Sequence, residues 1–270
     1  MVLFPHAKIN IGLYITKKRK DGFHDLETCF FPVPWTDVLE ITPSEGEFTF
    51  SSSGLEIAGA IEDNLCYKAY ELLRKDHQMP PVHIHLHKII PMGAGLGGGS
   101  SDAAFTLMGL RDLFQLPLTN EDLQPYAAKL GSDCAFFLSN QAAFGKGKGD
   151  KLSPIEASLK GKFLVLLYPA VGISTAEAYA GVTPAKAPVD LRKAILKADW
   201  KEAISNDFEK SIFPHYPVLA SLKEEMYTLG ASYAAMSGSG STIFGIFDKK
   251  IDPPARWADY TVWSGWVEKD

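Results

Sequence analysis

The sequence predicts a mixed protein, α+β or α/β, built as two domains. Strand-like and helix-like apolar patterns alternate along the chain, which favours mixed architectures. The 270 residues exceed the usual length of one domain. Five of the 23 glycines fall between Gly93 and Gly99, between a strand pattern and a helix pattern. In chain order, residues 9–16 and 38–42 read as strands, and Asp21-Gly22 supplies a tight turn between the first two. Asp63 or Asn64 can cap a helix that carries Leu65, Ala69 and Leu72 at helical spacing. VHIHLHKII, at 82–90, is a β-rich run with Val82, Ile84 and Leu86 toward a core. After the glycines, Ala103, Leu107, Leu110 and Phe114 share one helical stripe, which Pro117 ends. A second helix spans about 121–130 and stops at Gly131. The glycine- and lysine-rich stretch 145–154 is a loop or hairpin, and a domain break near residue 155 divides the chain into 1–155 and 156–270. Beyond it, 162–169 and 241–247 read as buried strands, while Leu219, Leu222, Met226 and Leu229 mark a helix.

Composition excludes several classes of function. The net charge of -5, from 27 basic and 32 acidic residues, argues against a general nucleic-acid binder. It leaves open small anionic ligands, which need only local cations. A chain of this length buries roughly 70–75% of its unfolded surface, so it needs no disulfide or metal staple. Cys29, Cys66 and Cys134 are odd in number and form no CxxC pair, so a reducing cytoplasm is expected. The chain has no apolar run of membrane-spanning length, and the opening MVLFPHAKIN lacks a charged leader before an apolar stretch. Neither a membrane span nor a signal peptide is therefore expected.

The glycine cluster carries the chemistry. Residues 91–104 read Pro-Met-Gly-Ala-Gly-Leu-Gly-Gly-Gly-Ser-Ser-Asp-Ala-Ala. Glycines let successive backbone N–H groups converge on an anion, and the N-terminus of a following helix adds positive potential. The helix is expected to begin near Ser101, with Ser100 and Ser101 as caps or as hydroxyl donors to a phosphate. Gly93, Gly95 and Gly98 also satisfy the dinucleotide fingerprint G-x-G-x-x-G, but the acid required after the next strand is missing. No Walker-type loop is present.

Residues 91–104 resemble the phosphate loop of the GHMP small-molecule kinases throughout their length. PHAKINIGLYITKKRKDGFHDLETCF (5–30) and AGLGGGSSDAA are similar to the branch of that family that acts on a cytidine diphosphate-linked polyol. GSDCAFF (131–137), NDFE (206–209) and MSGSGSTIFGIF (236–247) resemble further family segments in the right order. The resemblance implies an α+β, two-lobed GHMP kinase fold. Its N-terminal lobe would resemble ribosomal protein S5 domain 2, its C-terminal lobe would be ferredoxin-like, and ligands would lie between them. It also implies ATP with Mg²⁺, the metal's ligands being unassigned. No nucleic acid, membrane or obligate protein partner is implied.

Carried over residue by residue, the resemblance makes Lys8 and Asp133 catalytic. Asp133 would accept or orient the proton of the substrate hydroxyl. Lys8 would keep that carboxylate ionised and stabilise charge on the γ-phosphoryl group. ATP would be held by Asn64, Lys88 and the loop: Pro91, Met92, Gly93, Ala94, Gly95, Leu96, Gly97, Gly98, Gly99, Ser100 and Ser101. Asn10 and His24 would hydrogen-bond the cytosine edge, and Phe23 and Tyr179 would stack on its faces.

Without the resemblance, the same residues have plainer readings. Lys8 lies in an apolar strand, where a buried lysine must find an anion or lose its proton, unless the strand is an edge. Asp133 reads as a helix N-cap, Asn64 as another and Lys88 as a solvent lysine; Phe23 reads as core and His24 as surface. Phe23 stands where Tyr is commoner in the family, Ser132 where Ala is usual, and Ala135 where Pro is common. His83, His85 and His87 alternate on one strand face. They read as the polar face of a half-exposed strand, because no Cys or carboxylate pattern completes a metal site. KKRK (17–20) reads as a solvated loop.

Overall fold

The apolar pattern at 9–16 belongs to a longer strand than the sequence suggests. In the computed structural model, which describes residues 1–197 and 200–267, the chain begins with β1 (Val2–Leu3), β2 (His6–Lys18), β3 (His24–Thr36), β4 (Val38–Pro43) and β5 (Thr49–Gly54). It continues through α1 (Leu65–Asp76), β6 (Val82–Lys88), α2 (Gly98–Leu113), α3 (Asn120–Leu130), α4 (Cys134–Phe137), β7 (Ala143–Lys146) and β8 (Lys151–Pro154). Then come β9 (Phe163–Tyr168), α5 (Thr175–Ala180), α6 (Leu191–Ala194), α7 (Trp200–Ala203), α8 (Asp207–Ile212) and α9 (Pro217–Thr228). The last elements are β10 (Tyr233–Met236), β11 (Ile243–Phe247) and β12 (Thr261–Trp266). Two compact units result, each assembled from separated stretches of chain. The first takes Met1–Ala7, Trp35–Met92 and Gly97–Gln141; the second takes Lys8–Pro34, Gly93–Leu96 and Ala142–Asp270.

In the first unit, four strands pair in the order β1-β4-β6-β5, with β4 antiparallel and β5 parallel to β6. Alternation puts Leu39, Ile41, Val82, Ile84 and Leu86 into the core. Helix α2 crosses this face closely: a Cβ at Gly109 would lie 2.9 Å from Ile41 Cδ1. The buried stripe of α1 is Cys66, Ala69, Tyr70 and Leu73, not Leu65, Ala69 and Leu72. Counting Tyr70 and Cys66 as core residues restores the i, i+3, i+4, i+7 spacing, and Phe48 stacks on Tyr70 at 4.8 Å. The opposite sheet face is polar, as expected. Thr49, Ser51 and Ser53 on β5 bond His83, His85 and His87 at 2.7, 2.8 and 2.9 Å. Among the described residues, no group of three or more His, Cys, Asp or Glu side chains could hold a metal ion.

The second unit contains two sheets, ordered β2-β3-β7-β8 and β10-β11-β9-β12. Strand β9 pairs antiparallel with both β11 and β12. Its core gathers Val165 and Leu167 of β9, Phe208 of α8, and Leu219, Leu222 and Met226 of α9. Residues 145–154 form the β7–β8 hairpin, and Asp21-Gly22 lies in the turn that Arg19 N–H closes onto the Phe23 carbonyl, at 2.8 Å. All three cysteines are buried free thiols. No helix among the described residues is long and apolar enough to cross a membrane.

Gly12, in the middle of β2, has φ +71°, and a Cβ there would lie 2.5 Å from Leu191 Cδ1 and 2.8 Å from Ile204 Cγ2. Overpacking and the left-handed backbone act together at this site. Gly12→Ala is expected to lower the unfolding free energy by about 2–4 kcal/mol in urea titration. A loss below about 0.5 kcal/mol, the range of neutral surface changes, would contradict this packing.

Candidate active site

The glycine loop divides its glycines by task. Gly93, Gly95 and Gly97 have φ of +64°, +79° and +70°. Left-handed residues at every second position are the pattern in which backbone N–H groups can converge on an anion. Helix α2 then begins at Gly98 with Gly97 as its cap, three residues earlier than expected. Ser100 and Ser101 therefore sit inside the first turn and do not cap it. Gly98, inside the helix, is glycine for a packing reason: a Cβ there would lie 2.9 Å from Lys88 Nζ and 3.1 Å from Ile90.

Within the second unit, β2 buries Lys8 at 3% exposure. Its ammonium donates to Asn10 Oδ1 at 2.6 Å and to the Gly95 carbonyl at 3.0 Å, and it lies 5.6 Å from the centre of the Phe30 ring. The Lys8 N–H also donates to the Leu96 carbonyl at 2.9 Å. Strand and loop are thus joined at the candidate catalytic lysine. Asn10 uses both ends of its amide: Oδ1 accepts from Lys8, and Nδ2 donates to Thr28 Oγ1 at 3.0 Å. It is buried beside Lys8 and orients that ammonium.

The closing glycine motif belongs to the same cluster. Ser237 Oγ donates to the Gly95 carbonyl at 2.8 Å and accepts from the Asn10 N–H at 3.3 Å. A Cβ on Gly238 would lie 3.4 Å from Lys8 Nζ. Asn206 of the NDFE segment holds the motif from below, donating to the Met236 and Gly238 carbonyls at 2.8 Å each. Ser237, Gly238, Asn206 and Thr28 were not among the sequence candidates. The motifs at 206–209 and 236–247 were the available signal, but the contact of the second with Lys8 and Asn10 spans more than 220 residues of chain.

In the first unit, Lys88 is not a solvent lysine. It is buried, and its ammonium bridges Asp37 Oδ2 at 2.5 Å and Asp102 Oδ2 at 2.7 Å. Asp37 Oδ1 also accepts the N–H groups of Ile89 and Ile90, at 2.6 and 2.8 Å. The trio ties the end of β6 to the first turn of α2. Burial opposes the Lys88 charge, but Asp102 and Asp37 outweigh it and hold its pKa above the ordinary value. Burial pushes the Asp102 carboxyl up to about 7 against the pull of Lys88, with Asp37 adding to the rise. Asp102 Oδ1 and Ser101 Oγ are buried without a hydrogen-bond partner.

Asn64 is the helix cap, its Oδ1 accepting the Cys66 N–H at 2.8 Å. Asp133 stands at the start of α4 but makes no capping bond. Its backbone is already helical, at φ -85° and ψ -15°, whereas a capping side chain needs an extended cap residue. Pro91 is buried and Met92 exposed just before the loop. In the second unit, His24 stacks on Tyr179 at 4.9 Å and 25°, and Phe208 meets Tyr179 edge-on at 4.9 Å. Phe23 is not a core residue: it is 55% exposed.

Asp102 binds a proton when folded at pH values where the unfolded carboxyl has lost it. Stability from this group is therefore lost as pH rises from the ordinary carboxylate range through about 7. In urea titrations at pH 5.5 and 8.5, Asp102→Asn should flatten that fall, since the amide resembles the protonated acid. Lys88→Met leaves Asp37 and Asp102 buried without their cation and is expected to cost about 3–5 kcal/mol. Equal, small losses for both variants would contradict the trio.

Comparison with known proteins agrees with this geometry. Residues 64–148 match the GHMP kinases N terminal domain, and residues 191–256 match the GHMP kinases C terminal domain. The chain is 52% identical over 252 residues to 4-diphosphocytidyl-2-C-methyl-D-erythritol kinase of Bacteroides fragilis, covering 92% of each chain. It is 51% identical over 254 residues to the enzyme of the same name from Cytophaga hutchinsonii, covering 93% of each. A crystal structure of 4-(cytidine 5'-diphospho)-2C-methyl-D-erythritol kinase superposes with a TM-score of 0.81 at 31% identity, over 98% of both chains. Loop, buried lysine and closing motif thus occur together in a chain that belongs to the GHMP kinases, in the branch of the 4-diphosphocytidyl-2-C-methyl-D-erythritol kinases.

Proposed function

We propose that this chain transfers the γ-phosphoryl group of ATP to the 2-hydroxyl of 4-diphosphocytidyl-2-C-methyl-D-erythritol, in the non-mevalonate route to isoprenoid precursors. The observation that carries the reading is the seating of the Lys8 ammonium on the Gly95 carbonyl of a loop whose alternate glycines are left-handed. That arrangement puts a fixed cation beside backbone N–H groups suited to phosphate oxygens. Phosphoryl transfer gains mostly from positioning and charge stabilisation.

The roles divide as follows. Residues 91–101 cradle the ATP phosphates, with Asn64 on the nucleoside side. The charge of Lys88 is already matched by Asp37 and Asp102, so Lys88 serves ATP by setting the start of α2. Asp133 accepts or orients the proton of the attacking hydroxyl, and Lys8 stabilises the charge on the transferring group. Asn10 orients Lys8. His24 and Tyr179, already stacked together, and the exposed Phe23 hold the cytosine. Binding energy from that remote base orients the reacting hydroxyl. As a functional division, residues 1–155 carry the phosphate loop and residues 156–270 complete the substrate side. Mg²⁺ bound together with the nucleotide would neutralise charge on its phosphates, the metal's protein ligands being unassigned. We place the reaction in the cytoplasm, in keeping with three unpaired buried thiols.

Turnover of ATP with a panel of small alcohols is expected to select the cytidine diphosphate-linked substrate, and CDP and CMP should compete with it. Asp133→Asn is expected to lower kcat by about 10²–10⁴. A variant within about tenfold of wild type would refute the proton-handling role, and indifference to CDP and CMP would refute the substrate.

A further inference from the structure

Two hairpin tips of the second unit meet at Phe23. The β2–β3 turn fixes its backbone: the Phe23 carbonyl accepts the Arg19 N–H at 2.8 Å, and the Phe23 N–H donates to Asp21 Oδ1 at 3.2 Å. Arg19 in turn binds Asp21. The β7–β8 tip is docked alongside, the Leu26 N–H donating to the Gly147 carbonyl at 2.7 Å. Gly147 and Gly149, at φ +66° and +92°, turn this tip, and Asp150 Oδ1 accepts the Lys148 N–H at 3.0 Å. The result is an ammonium 4.6 Å from the centre of the Phe23 ring.

A ring that is 55% exposed is not held by core packing, and a phenyl group has no polar handle of its own. Turning about its side-chain torsions would swing its stacking face away from any ligand. A cation over one face restrains the ring through its quadrupole and occupies only that face. We propose that Lys148 is a positioning residue for the nucleobase end of the substrate, holding Phe23 so that its opposite face meets the base. This rests on the base-stacking role proposed above for Phe23. It adds a residue from a hairpin more than 120 positions away, and it gives the GKGKGDK segment a part in substrate recognition.

A double-mutant cycle on the full chain tests it, with KM and kcat measured separately for the cytidine diphosphate-linked substrate and for ATP. Lys148→Met keeps the length of the side chain and removes the charge. It is expected to raise KM for the cytidine substrate about 2- to 5-fold, the range of an exposed cation–ring contact. The KM for ATP and kcat should stay within twofold, with the melting temperature unchanged. Lys148→Arg should keep the wild-type KM, because a guanidinium also stacks on rings. In a Phe23→Ala background, Lys148→Met should add nothing further. A silent Lys148→Met overturns the proposal, as does a rise in KM for both substrates. The same rise with Phe23 removed also overturns it, because the ammonium would then act on the substrate anion directly. If Phe23→Ala alone leaves KM for the cytidine substrate unchanged, the base-stacking reading fails and the proposal with it. If Phe23→Ala raises that KM but Lys148→Met does not, only the proposal fails.

Discussion

Lys88 sits between Asp37 and Asp102, with almost no water around any of the three side chains, and the start of α2 depends on that burial. Removing charges from water is costly, and such a cluster persists only where each charge is matched and hydrogen-bonded. Asp37 meets this condition by spending one oxygen on Lys88 and the other on two backbone N–H groups at the exit of β6. The cluster therefore fixes three things together: where β6 ends, where the chain turns into the glycine loop, and where the loop becomes helix. Gly98 follows from it, since a side chain there would collide with the ammonium.

The second unit also holds a buried lysine by hydrogen bonds. Lys8 is buried, and the partners that orient it include an amide oxygen and a backbone carbonyl. Such partners fix the direction in which the ammonium points. Lys88 is held by two acids in the first unit, whereas the Lys8 ammonium in the second is seated on the carbonyl of Gly95 in the glycine loop. Under the proposed function, a chain with net charge -5 would bind polyanions through local groups, Lys8 and backbone N–H groups, rather than through its overall balance of charge.

Much of the fold was legible in the sequence because it follows from local periodicity. Strand β6 was readable from strict alternation, and its histidines lie on the polar face as alternation requires. Helix α2 was readable from one stripe, and the β7–β8 hairpin from its glycines. What was misjudged turned on tertiary neighbours. The buried face of α1 was displaced because Tyr70 joins the core against Phe48. The start of α2 came three residues early, with the left-handed Gly97 as its cap, and Lys88 beneath Gly98 leaves no room there for a side chain.

The sequence by itself determined the α+β class, the glycine loop between a strand and a helix, and the family, through the order and spacing of short motifs. Those features depend on neighbours along the chain or on residue types that few other structures require. The tertiary structure alone decided that Lys88 is buried rather than solvated, that Asn10 is committed to Lys8, and that Phe23 is exposed with Lys148 over it. It also brought Gly238 beside the ammonium of Lys8, Ser237 to Asn10 and the Gly95 carbonyl, and Asn206 beneath them to the Met236 and Gly238 carbonyls. The physical reason is the same in each case. Whether a polar side chain faces water, an opposite charge or a ring is settled by groups that arrive from distant segments, and no local pattern records them.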